Sequence, residues 1–180
     1  NDPLVRSNLR KEIDDLIRRN GRECYSTIES AAQSQIQTAR DKGTPEAYLE
    51  IPLQFPNSLA AERAMLEAAA LYEKLGQEKA YGSTLRTFLR EYPRSEVAPQ
   101  AHIDLPLFLE KRKRLSSALS LLSRLARLWP NRIVTVEGRK VSAGKFANER
   151  MELDRYRETE RRSQNVPLTP PLTRIFGHSE

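Results

Sequence analysis

The chain has 180 residues, 38% of them hydrophobic and 30% charged, enough for one ordinary domain or a short repeat array and too few for two large domains. With 7 Gly, 5 Phe, 1 Trp and 6 Tyr among abundant Ala, Leu, Arg and Glu, it leans towards helices and away from a β-sandwich. The formal charge is +6, and a single cysteine with only His102 and His178 for company excludes an internal disulfide and a structural zinc site.

In chain order, the first element is an amphipathic helix from about Leu4 to Arg19, with Leu9, Ile13, Leu16 and Ile17 on its apolar side. Cys24 follows and reads as a small buried hydrophobe. Ile28–Ala39 and Ala47–Phe55 form an early, less regular helical unit. After Asn57 or Ser58 as N-cap, Ala61, Met65, Ala68, Tyr72 and Leu75 recur at steps of four and three, drawing one apolar stripe that Gly76 ends. A second helix from about Glu78 to Tyr92 turns Tyr81, Leu85, Phe88, Leu89 and Tyr92 inward. The next pair repeats the scheme, first with Ala98, Ile103, Leu105 and Leu109, then with Leu115, Ala118, Leu119, Leu122, Leu125 and Trp129.

Pro52 and Pro106 fall inside these helical patterns, and a kink is expected at both, because an interior proline costs about 3 kcal/mol in a regular helix. Beyond Pro130, Ile133–Val136, the turn pair Glu137-Gly138 and Arg139–Val141 read as a small β-hairpin. Ser142 can cap a further helix from Ala143 to about Arg162, with sparse apolar positions at Phe146, Met151, Leu153 and Tyr156. It is expected to shield the open end of the preceding helices. Residues 1–163 are thus expected to form one domain: helices over 4–42, repeats over about 44–132, then hairpin and capping helix. Three prolines between 167 and 171 make 164–180 an extended tail or linker.

The middle of the chain is periodic. Phe55-Pro56-Asn57-Ser58, Tyr92-Pro93-Arg94-Ser95 and Trp129-Pro130-Asn131-Arg132 are spaced so that successive prolines stand 37 residues apart. A fixed period of this size marks stacked supersecondary units, here two helices each, with proline ending one helix and setting the turn into the next. The order Tyr72, Gly76, Ala80, Pro93, with small residues at Ala68 and Ala69, resembles the tetratricopeptide repeat. The Tyr-Pro-x-Ser turn followed by alanines looks like the longer repeats of bacterial cell-envelope proteins. The resemblance covers residues 44–132, with a period longer than the common one of about 34 residues. It implies an all-α, right-handed solenoid of antiparallel helix hairpins, and it points to a bacterial envelope or periplasm while leaving the cytoplasm open. No catalytic, cofactor or metal site is expected.

The resemblance also implies that the first helix of each pair lines a concave, partner-binding face. Matched residue by residue, that face takes Arg63, Leu66, Ala70, Glu73 and Lys74 from one unit and Gln100, Ile103, Leu107, Glu110 and Lys111 from the next. A register one residue different would make Leu66, Ile103 and Leu107 core residues instead. The expected occupant is a protein or peptide, or another domain of the same parent protein; a chain that opens on Asn1 reads as a piece of something longer.

Charge supports a second expectation. Residues 111–180 carry 16 basic and 7 acidic side chains, so the excess lies in the C-terminal part. Arg112, Lys113, Arg114, Arg139, Lys140 and Lys145, with Arg124 and Arg127, offer a patch for nucleic acid or an anionic surface. No aromatic is interleaved with them as single-strand stacking requires. An enzyme is not expected. The chain has no phosphate-binding glycine loop, no H-E-x-x-H and no C-x-x-C, and its paired carboxylates lie on polar helix surfaces. His102 reads as a packing residue. No apolar run approaches the roughly 18 residues of a membrane span, and no signal segment opens the chain.

Overall fold

The computed structural model describes the backbone of residues 3–136 and 138–164. Among these, helices α1 (Pro3–Asn20), α2 (Ser26–Lys42), α3 (Pro45–Gln54), α4 (Leu59–Lys74), α5 (Glu78–Glu91), α6 (Ala98–Lys111) and α7 (Leu115–Leu128) precede a hairpin of β1 (Ile133–Val136) and β2 (Arg139–Ser142). Helices α8 (Ala143–Met151) and α9 (Asp154–Gln164) follow, and a short 3-10 turn, Arg22–Tyr25, links α1 to α2. The protein is mostly helical, and each helix from α2 to α7 packs on the next, with α9 against α7, so that one core runs along the stack from Ala32 to Tyr156. The proline-rich segment from 165 onward lies outside the described residues.

The three aromatic-proline segments share one backbone shape. Phe55, Tyr92 and Trp129 end their helices at φ −129, −124 and −135° with ψ 59, 53 and 53°. Their amides donate to Ile51, Phe88 and Leu125 at 2.8, 2.8 and 3.0 Å, and their carbonyls accept from Ser58, Ser95 and Arg132 at 3.1, 3.1 and 3.2 Å. Each proline then stands where no helical amide hydrogen is needed. The 37-residue offset holds at the other corners. Gly76 and Lys113, 37 apart, both sit in the left-handed region (φ 68 and 58°). Each closes a Schellman motif: Gln77 N–H reaches Tyr72 O at 2.8 Å, and Arg114 N–H reaches Leu109 O at 2.9 Å.

Side chains bind the units to one another. Ser58 caps α4 through Ala61 N–H at 3.0 Å, while the Glu29 carboxylate of α2 accepts Leu59 and Ala60 N–H, both at 2.9 Å, from the same helix start. Ser95 donates to Glu62 at 2.6 Å, and burial raises that carboxyl above its usual range. Gly82 lets α6 approach α5 closely; a Cβ there would stand 2.6 Å from the Phe108 ring. That ring meets Tyr81 edge-on at 5.1 Å between centroids.

Several expectations need correction. α1 extends from Pro3 to Asn20, but Leu9 and Leu16 of its apolar stripe are 56% and 52% exposed. Polar contacts hold it instead: Asn57 donates to Arg10 O at 2.9 Å and to Asp14 at 2.6 Å, and Arg10 pairs with Glu91 at 2.7 Å. Leu75 is exposed because it is already the C-cap of α4. Cys24 is exposed rather than buried, its thiol donating to Gly21 O at 3.0 Å. α3 and α6 continue through Pro52 and Pro106, which sit inside both helices as the expected kinks require. The single capping helix expected from Ala143 is two. The chain turns at Glu152 and Leu153, where Tyr156 N–H bonds Leu153 O at 2.8 Å, and that turn aims Arg155 and Tyr156 back at α6. The hairpin stands where expected, Ile133 opposite Ser142 and Val136 opposite Arg139.

Candidate functional site

The face expected to hold a partner divides into an open part and a covered part. On α4, Arg63, Glu73 and Lys74 are exposed and Leu66 and Ala70 are half-buried, Leu66 lying against the core. On α6, Ile103 is fully buried, so it is core and lines no surface; Leu107 is half-buried against the same core. The alternative register, one residue different, describes Ile103 correctly. Lys111 remains exposed.

Two further members of that set are held by the chain itself. The Gln100 amide pairs with the backbone of β1 like a short extra strand, donating to Thr135 O at 2.9 Å and accepting Thr135 N–H at 3.1 Å. Glu110, whose side chain is only 6% exposed, receives Arg150 in a bidentate fork at 2.7 and 2.6 Å and Arg155 at 2.7 Å, and also the Tyr156 hydroxyl. Burial alone would raise the Glu110 carboxyl, but the hydrogen bonds from Arg150 and Tyr156, with the charges of Arg150 and Arg155, hold it below the usual carboxylate range. Both ends of this α6 face therefore engage the hairpin and α8–α9, and Gln100 and Glu110 serve the fold.

The basic residues also part company. Arg112 turns to Glu78 and lies 5.5 Å from the Phe108 ring centre, Lys145 pairs with Glu149 at 3.8 Å, and Lys113, Arg139 and Lys140 are exposed. Arg114 joins Arg124 in a groove of about 740 Å³ between α5 and α7. Arg86 and Arg90 line its opposite wall; Leu121 is half-buried between the walls, and the Leu89, Leu105 and Leu109 that border it belong to the core. Among the described residues no carboxylate lines the groove. Among the described residues Arg86, Arg114 and Arg124 have no ion-pair partner, and Arg90 shares Glu91 with Arg10.

No protein-family model and no curated protein matches this chain.

Its site must therefore be read from its own residues. The groove was partly legible in the sequence: Arg86 and Arg90 stand four apart, and Arg114, Ser117, Leu121 and Arg124 follow steps of three, four and three, each set marking one helix face. What the sequence hid is that α5 and α7, alternate helices of the stack, bring the two sets together. Among the described residues no three His, Cys, Asp or Glu side chains are grouped to hold a metal ion, and no helix is long and apolar enough to cross a membrane. His102 is fully buried 5.1 Å from the Trp129 ring, and among the described residues neither ring nitrogen finds a hydrogen-bond partner. Burial, helped by the Arg124 charge, lowers its pKa to about 4, which keeps the imidazole neutral at pH 7.

Proposed function

We propose that this chain is a tetratricopeptide-like repeat module, a short right-handed solenoid that holds a protein or peptide partner, or another domain of its parent protein, and performs no bond-making chemistry. The observation that carries this reading is the shared conformation of Phe55, Tyr92 and Trp129, which makes repetition a property of the backbone as well as of the sequence. Stacked repeats present long continuous surfaces suited to extended or helical ligands. The anionic-surface alternative, through the basic C-terminal third, draws its support from Arg114 and Arg124, which have no ion-pair partner among the described residues.

A displayed library of random peptides, panned against the immobilised chain, tests the reading. Enriched peptides that bind saturably in titration support it, and a library that yields no saturable binder overturns it. The variants K74E and K111E then locate the surface. Capture by the first-helix face is weakened by these exposed changes with no shift in melting temperature, whereas unchanged capture places the binding surface elsewhere.

A further inference from the structure

We infer that the groove between α5 and α7 is a docking site for an acidic, leucine-bearing peptide segment; this rests on the reading of the chain as a partner-holding module and names the partner's chemistry. The case begins with charge. Four arginines line the groove, no carboxylate does, and three of the four are unpaired among the described residues. An uncompensated cluster of this kind raises the local concentration of anions, and guanidinium forks match carboxylates two bonds at a time.

The lining between the arginines narrows the choice. Leu121 of α7 is partly exposed there, with the buried Leu89, Leu105 and Leu109 behind it, and this apolar strip is one that a phosphate backbone has no means to use. No aromatic side chain lines the groove, so bases would find nothing to stack on. A peptide that sets carboxylates on its flanks and leucines along its centre satisfies both kinds of surface. Arg114 and Arg124 are ten residues apart along α7, which spans about 15 Å, the length of nearly three turns of a bound helix. Ser117 and Ser120, on the same wall, add short hydroxyls for the partner's remaining polar groups.

The test uses the full chain and a fluorescein-labelled synthetic helix with Glu and Leu at helical spacing, read by fluorescence anisotropy at low and high salt. Saturable binding that weakens with salt is expected, and R86E combined with R124E should weaken it at least about tenfold. K42E, on an exposed residue of α2 outside the groove, should change it less than about twofold. R86Q with R124Q removes the charge without reversing it and should give an intermediate loss, and unchanged melting temperatures for both pairs show that the fold is kept. Equal affinity for the same peptide with Gln in place of Glu overturns the inference. So does binding unaffected by R86E with R124E, or a single-stranded oligonucleotide that binds while the peptide does not. If library panning finds binders that lack acidic residues and respond only to K74E and K111E, this inference fails and the module reading stands; if nothing binds, both fail.

Discussion

The Tyr92 hydroxyl donates to the Pro56 carbonyl at 2.9 Å, joining the aromatic residue of one corner to the proline of the corner before it. The ring is buried beneath the Arg10 guanidinium, 4.3 Å from its centre, and stacks on Phe88 at 5.6 Å. Of the three corner aromatics only Tyr92 carries a hydroxyl, so a tie of this kind is open to this corner alone, where it joins the Ser95–Glu62 bond in linking α3–α4 to α5–α6. Tyr92→Phe keeps the ring and leaves the Pro56 carbonyl without this donor. A loss of about 1 kcal/mol in urea unfolding is expected, and unchanged stability would show that the bond adds nothing.

Gly76 and Lys113 offer a paired test of the period. Both residues adopt left-handed backbone in equivalent Schellman turns, but only one is glycine. Lys113→Gly relieves a conformation that costs an L-residue about 1–2 kcal/mol, less the added freedom of the unfolded chain, for a net gain of about 0.5–1 kcal/mol. Gly76→Lys should lose a similar amount. Denaturation midpoints moving in opposite directions are the expected result, and a shift of one sign for both would refute the equivalence.

Glu110 joins α6 to α8 and α9 through Arg150, Arg155 and Tyr156. Glu110→Gln is expected to cost about 1.5–3 kcal/mol, the range for hydrogen bonds to a charged group. Amide exchange in residues 143–164 should speed up before exchange in α4 and α5. Because the folded carboxyl lies below its usual range, its contribution is present above the unfolded value near 4.3 and is lost as pH falls through the lower folded value. Acid should therefore loosen α8 and α9 in the parent chain and make little further difference in the variant.

The helices, their order and the hairpin were legible because each is written locally. Steps of three and four mark α4 to α7, Gly76 and the corner prolines mark their ends, and the β-branched run 133–136 marks the strand. Long-range polar pairing was not legible. Glu110 was expected to face a partner, and nothing in the sequence showed that residues 40 to 46 positions away converge on it instead. Gln100 likewise gave no hint that it would pair with a strand edge, and Gly82 stood unmarked although Phe108 fills the space beside it. The groove belongs to the same class: its two walls are each periodic, but only the stacking of alternate helices makes them face one another.

The 37-residue offset places His102 where the preceding unit has Met65, and both side chains are buried. An imidazole at a methionine position must keep one N–H and one lone pair, and neither finds a hydrogen-bond partner. His102→Met is therefore expected to stabilise the fold at pH 7 by about 1–3 kcal/mol, the cost of a buried unsatisfied polar group. The pH dependence gives a sharper readout. With a folded pKa of about 4 against an ordinary value near 6.5, the unfolded chain takes up the proton first, so the parent protein loses stability as pH falls below about 6.5 and the loss is complete by about 4. Integrated over that window the loss is on the order of 3 kcal/mol. Urea unfolding at pH 7 and pH 5 should show the parent losing more stability, or gaining less, than the variant between the two, because the raised Glu62 and Asp104 carboxyls and the lowered Glu110 carboxyl are common to both proteins. Parallel losses in both proteins would mean that the buried imidazole is hydrogen-bonded or hydrated in solution.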